Sequence, residues 1–352
     1  MKWCILVGFL ATAAAASAEI VHEHVIGPEF PGAYKHPASI TELNSGELYV
    51  AYYGGGGEYE DDSKVWGMRR PLEGGAWSEP VIIADTPFLA EGNPVLWQSP
   101  DGTVWLWYVQ RYGETWSESR IKGKISRDNA KTWSDSFVAA YDLGMMVRSR
   151  PIVMNDGRFL LPIYHETGAD REKVGADTTS LFLYFNAETY GWEKSGRIQS
   201  PTGNLQPSVV QLDDGTLIAY CRRGGDYEPT TEGYMVRSES KDGGKTWSEG
   251  KNSPFKNPNA AIDFIKLTNG HLMLVYNDSM NERTPLTVAI SEDNDKSWPH
   301  VRDIATGPHD FAYPVALQTH DGKLRVLYTR DERTRVMLAT FDEADITGYS
   351  KP

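Results

Sequence analysis

The chain has 352 residues, a formal charge of −13 and 11% aromatic residues. That acidity argues against nucleic acid and anionic membranes as partners, while leaving room for a few cations to converge on one anionic small ligand. The apolar and aromatic content is ample for a packed core and excludes a disordered chain. Two cysteines, Cys4 and Cys221, give no disulfide framework.

The first eighteen residues read as a separate unit. Lys2 forms a short positive region, Trp3 to Leu10 are mostly apolar, and Ala16-Ser17-Ala18 suits a signal peptidase, so cleavage is expected before Glu19. The apolar run is well short of the roughly 20 residues a membrane crossing needs. A secreted or periplasmic protein spanning residues 19–352, without membrane insertion, is therefore expected. Its one remaining thiol, Cys221, ends the strand-like run Thr-Leu-Ile-Ala-Tyr-Cys and reads as a packing residue.

Beyond residue 19 two periodic signals interleave. The first is a tight turn of Asn, Asp or Ser with Gly between apolar runs, at Gly46, Gly102, Gly157, Gly215, Gly270 and Gly322, in steps of 52 to 58 residues. Each looks like Ile-Thr-Glu-Leu-Asn-Ser-Gly-Glu-Leu-Tyr-Val-Ala-Tyr, alternation around a turn that favours positive φ, which is a β-hairpin. The second is Ser-Lys-Asp-Gly-Gly-Lys-Thr-Trp at Ser240 to Trp247, with copies at Ser126 to Trp133 and Ser291 to Trp298 and relics ending at Trp77 and Trp192. Units of about 55 residues have room for four short strands, and four-stranded units repeating radially close their edges in a ring. The expected fold is all-β: a single six-bladed β-propeller with four-stranded antiparallel blades. A β-sandwich does not repeat at this period. The last unit, from about residue 308, lacks the Trp turn, and Ile20 to Val25 are expected to complete it as a closing strand.

The Ser-x-Asp-x-Gly-x-Thr-Trp pattern is the Asp box, and through it the chain resembles the sialidase (neuraminidase) superfamily of six-bladed propellers over essentially its whole mature length. In the box the carboxylate and hydroxyls satisfy turn amides and the Trp plugs between blades, a role in folding and not in chemistry. The resemblance implies three arginines on a sugar carboxylate, a Tyr nucleophile assisted by a Glu, and an Asp as general acid, an exception to the usual pair of carboxylates. Where the first arginine is expected the sequence reads Tyr34-Lys35-His36-Pro37, so Lys35 supplies charge without a bidentate fork, and the adjacent His36 is a candidate acid or base. The acid is expected in the loop from Gly54 to Asp62, at Asp62, with Asp61 and Glu58 next. The assisting Glu is replaced by Gln206. Arg222 and Arg283 match the second and third arginines, and Tyr313 matches the nucleophile.

Other polar clusters fall where inner strands begin, among them Arg148-Ser149-Arg150 and Tyr164-His165-Glu166. These residues, Arg150 among them, are candidates for reading the rest of a sugar, and Arg150 and Glu166 equally for a structural ion pair. The resemblance thus implies an exo-acting glycoside hydrolase that cleaves a terminal acidic sugar. Two alternatives stay open: a lyase acting on uronate glycans with His36 or Tyr313 as base, and a non-catalytic glycan-binding propeller. No cofactor is expected and no metal motif stands out; His22 and His24 have no carboxylate at ligand spacing.

Overall fold

A computed structural model describes residues 20–171, 173–186 and 191–349. The expected signal peptide and its cleavage site lie outside these residues. Six antiparallel sheets form the six blades. In blade one the strands run outward as Tyr34–Leu43, Glu47–Gly55, Lys64–Pro71 and Val81–Ala84. The same order starts again at Glu91, Met145, Asn204, Asp263 and Ala312. Blade three departs in one respect: its inner strand is split into Met145–Val147 and Ile152–Val153, both paired to Phe159–His165.

The six glycines of the hairpin turns all have positive φ, between 80° and 93°, where a side chain would be strained. Next to these turns, neighbouring blades are tied by a repeated contact. Gln98 accepts from the Asn44 amide, Gln211 from Asn155 and Gln318 from Thr268, each at 2.7 Å. At the seam between blades six and one the acceptor is Glu42, which takes the His320 amide at 2.9 Å and also pairs with its imidazole.

The Asp boxes sit between the third and fourth strands of blades two, four and five. In the first, Asp128 accepts from the Thr132 hydroxyl at 2.6 Å and the Thr132 amide at 2.9 Å, while Ser126 donates to Asp128 at 2.7 Å. Those bonds, the Thr132 hydroxyl first, hold the Asp128 carboxyl well below its usual range. Two consecutive left-handed residues make the turn, Asn129-Ala130 in blade two and Gly243-Gly244 in blade four.

Each Trp packs on the blade before it. Trp133 lies against Tyr49, Trp192 against Trp105 and Trp107, Trp247 stacks on Phe182 at 4.3 Å, and Trp298 meets Tyr220 and Phe255. Trp247→Ala removes one such plug and is expected to lower stability by about 3 kcal/mol, read as a fall in the urea midpoint. Blade six has no Trp turn; instead the helix Glu343–Thr347 buries Ile346 in a cluster with Ile290 and Ile304 of blade five.

The ring closes as anticipated, one residue displaced from the expected strand. Val21–Ile26 forms the outermost strand of blade six, with Val21 opposite Thr340 and Ile26 opposite Val336. Glu23 anchors it by pairing with Arg70 of blade one at 2.6 Å. His24 does meet a carboxylate, Glu29, at 2.7 Å, but in a single hydrogen bond. Among the described residues no cluster of His, Cys, Asp and Glu is placed to hold a metal, and no helix is long and apolar enough to cross a membrane. Cys221 is buried, and burial pushes its thiol up to about 12, in keeping with packing.

Candidate active site

Two kinds of segment meet at one end of the channel. The first is the start of the inner strands. His36, Asn93, Gln206 and Tyr313 each precede a proline, at Pro37, Pro94, Pro207 and Pro314. At all four the strand register shifts over these residues. Asn93, Gln206 and Tyr313 have positive φ of 45°, 50° and 52°. A bulge re-aims the side chain it carries, and all four side chains line the same pocket. The second kind is the loop joining second and third strands: Glu58 and Tyr59 come from blade one, Trp116 from two, Arg171 from three, Tyr227 from four, Arg283 from five and Arg333 from six. The pocket is narrow, about 50 Å³.

Tyr313 is the centre of the polar network. Its oxygen receives Arg222 Nη1 at 3.1 Å and Gln206 Nε2 at 3.3 Å. The orientation of the Gln206 amide follows from its other contact. Arg222 Nη1 lies 3.2 Å from Oε1, and a guanidinium only donates, so the amide nitrogen must face the phenol. The Arg148 and Arg283 guanidiniums lie 5.3 and 5.8 Å from the Tyr313 ring centroid. Burial pushes the phenol up, but Arg222 and Arg283 outweigh it and hold it below its usual value.

Arg222 is 4% exposed, so its fork is fixed. It also donates to Asn259 at 2.7 Å and to the Tyr227 hydroxyl at 2.9 Å. Arg283 reaches Tyr227 and the Asn259 carbonyl, both at 3.4 Å, but its Nη1 is buried with no partner.

His36 is held in one tautomer. Its Nδ1 lies 2.8 Å from the Thr329 hydroxyl, and that hydroxyl gives its only proton to the Ala312 carbonyl at 3.0 Å. Nδ1 must therefore carry the hydrogen, leaving Nε2 as a bare acceptor, buried and without a partner. Burial, then the charges of Arg333, Arg283, Arg148 and Arg222, hold the imidazole well below its usual value, so it is neutral. Its ring stands edge-on to Tyr313 at 4.0 Å.

His36, Gln206, Arg222, Arg283 and Tyr313 thus come together, joined by Glu58. The other expected site residues do not. Lys35 points its ammonium at the Gly32 carbonyl and is absent from the pocket lining, because successive strand residues face opposite ways and His36 takes the inward position. Asp62 is exposed and accepts the Gly56 amide at 2.9 Å, while Asp61 pairs with Arg111 at 2.9 Å, so neither lines the pocket. The segment from Gly54 to Asp62 is also not all loop: Gly54 and Gly55 belong to a strand, and a Cβ on Gly55 would sit 2.8 Å from the Ser63 Cα. Arg150 donates to the Ala316 carbonyl and lines a different cavity of about 520 Å³, among the middles and turn-side ends of the inner strands. It makes no ion pair with Glu166.

Arg333 went unrecognised in the sequence. It bonds the Tyr34 hydroxyl at 3.1 Å and pairs with Glu58, and its carbonyl accepts the Lys35 amide at 2.9 Å. Blade six thereby brings a guanidinium beside the strand where blade one has only Lys35. Its loop is the counterpart of the loop carrying Arg283, which is the signal that was available.

A family described as BNR repeat-like domain matches residues 46–326, and the chain belongs to it. Its fold is that of solved sialidase propellers. A Hadza microbial sialidase, Hz136, superposes with a TM-score of 0.76 at 17% identity, over 92% of this chain and 69% of that one. An intramolecular trans-sialidase from Ruminococcus gnavus gives 0.73 at 13% identity, over 94% and 98%. An α-L-arabinanase from Penicillium chrysogenum gives 0.67 at 15%, over 94% and 100%. No curated protein sequence matches the chain.

Proposed function

We propose that the protein is a secreted glycoside hydrolase of the sialidase-like kind, which removes a terminal acidic sugar at the pocket around Tyr313. The observation that carries this reading is the surplus of guanidinium donors there. Arg222 and Arg171 line the pocket, and Arg283, behind Tyr313 at 5.8 Å from its ring centroid, adds a guanidinium whose Nη1 is buried without an acceptor, a set of cations that favours an anionic ligand. A sugar carboxylate between Arg222 and Arg283 supplies it.

In that pose Tyr313 is the group that meets the anomeric carbon. Attack needs its phenolate, which the two donors on its oxygen and the nearby guanidiniums favour. Gln206 takes no proton, but as a donor it stabilises the phenolate in place of the missing Glu. The aromatic loops carrying Tyr59, Trp116 and Tyr227 offer faces for the sugar ring. The test is release of free sugar from a panel of sialosides and uronic-acid glycosides; no turnover, with retained binding, would instead select a glycan-binding propeller.

One observation favours a second reaction at the same pocket. His36 Nε2 is an unprotonated base without a partner, suited to removing the C5 proton of a uronate while Arg222 and Arg283 neutralise its carboxylate. Elimination leaves an unsaturated, ultraviolet-absorbing product. Glycan cleavage with no rise in that absorbance rejects the lyase.

A further inference from the structure

We propose that Glu166 is the general acid of this site, handing its proton to the leaving oxygen as the glycosidic bond breaks. The assignment rests on the glycosidase reading above, and the position expected to do this work is not available: Asp62 is exposed, tied to the Gly56 amide and outside the pocket lining.

Three other groups in the pocket are candidates for proton transfer, and each is already committed. Glu58 accepts from the Tyr34 hydroxyl at 2.9 Å and pairs with Arg333, so its carboxyl is already held by two donors. His36 spends its one hydrogen on Thr329 and is neutral, so it is no acid. Gln206 cannot titrate. Glu166 is different. It follows the strand Phe159–His165, its amide is pinned to the Gly144 carbonyl at 2.8 Å, and its half-buried side chain lines the pocket. Its carboxyl makes no hydrogen bond or ion pair with any described residue.

The charged and titratable groups around it are Arg222 from blade four, Glu58 from blade one, Tyr164 from its own strand, and Arg171 and Lys173 from the loop that follows it. Burial raises the carboxyl to about 7, Arg222 lowers it, and the like charge of Glu58 raises it. The two carboxyls divide the labour: Glu58 is engaged by Tyr34 and Arg333, and Glu166, unbonded in the pocket lining, is the proton carrier.

The step balances. The C–O bond breaks with its electron pair going to the leaving oxygen, which takes the Glu166 proton, while the Tyr313 phenolate captures the anomeric carbon. Water then attacks that carbon, the phenolate departs, and the Glu166 carboxylate takes the proton from the water.

The test compares an aryl glycoside bearing a 4-nitrophenol leaving group with an alkyl glycoside of the same sugar, in the wild type and in Glu166→Gln. A nitrophenolate leaves without a proton and an alkoxide does not. The variant is expected to lose about 10²- to 10⁴-fold on the alkyl glycoside and at most about tenfold on the aryl one. Because this is a ratio within one preparation, it does not depend on how much of the variant folds. Infrared difference spectra of wild type minus variant should show a protonated-carboxyl stretch that titrates away near neutrality. The subtraction cancels Glu91, which burial also raises to about 7 but which is bonded to Thr86 and Gln110. Equal losses on both glycosides, or none, overturn the assignment, as does a missing carboxyl stretch in a wild type that turns over. A wild type that cleaves neither glycoside overturns the glycosidase reading, and the acid role with it.

Discussion

Tyr313→Phe is expected to lower kcat/KM by at least ~10³-fold, about 4 kcal/mol of transition-state stabilisation, with KM little changed. The substitution removes one oxygen and nothing else. That oxygen accepts from Arg222 and Gln206, and the ring keeps its place between His36 and the arginines. A loss confined to kcat places the oxygen in the chemical step, read by steady-state kinetics on whichever acidic glycoside the panel identifies. Wild-type turnover in the variant would remove Tyr313 from the mechanism.

Arg222→Ala is the second large effect. It deletes the donor to the phenol, the partner of Gln206 Oε1 and the donor to Asn259 at once. Loss of one preorganised donor at a developing charge amounts to about 10²- to 10³-fold, and the lost grip on a substrate carboxylate adds to KM. The sign of the pH effect follows from the charge. Arg222 lowers the Tyr313 phenol, so without it the limb of the pH profile belonging to Tyr313 moves to higher pH. Arg222→Lys should not recover activity, because a single ammonium cannot serve Gln206, Asn259, Tyr227 and the phenol together. An unmoved limb in both variants would show that the phenol does not sense this cation.

What could be read in the sequence divides along physical lines. The blades were legible because each is announced by local chemistry: a glycine that must take positive φ, and an Asp whose oxygens close their own turn. Tyr313, Gln206, Arg222 and Arg283 were found through the resemblance to sialidases, whose site segments have counterparts in this chain, and the repeat served only to place those segments on blades. Lys35 and His36 were harder. They differ by one position on a strand that bulges, and one position decides which of two faces a side chain takes. The choice among Glu58, Asp61 and Asp62 has the same difficulty in a loop, where only the folded backbone shows that Glu58 turns inward to Tyr34 and Arg333.

Arg333 lay in Asp-Glu-Arg, which reads as a solvated tip. Its backbone is a run of three left-handed residues, Asp331 to Arg333, which no composition rule anticipates. Glu166 was legible as a polar residue for reading a sugar or as half of an ion pair with Arg150, not as an acid. The two are separated because Arg150 lines the other cavity, so the carboxyl is left with no cation bonded to it.

The closing strand bears on how the molecule is made. Among the described residues Val21–Ile26 pairs only with Arg335–Phe341, so this early strand waits during synthesis for the last of the described strands. Until then blade one presents an uncovered flank and the early segment has no neighbouring strand to pair with, a state prone to pairing with other chains. Completion is therefore a single late event: a nascent chain halted before residue 335 has an unlatched ring, whatever the condition of its first five blades.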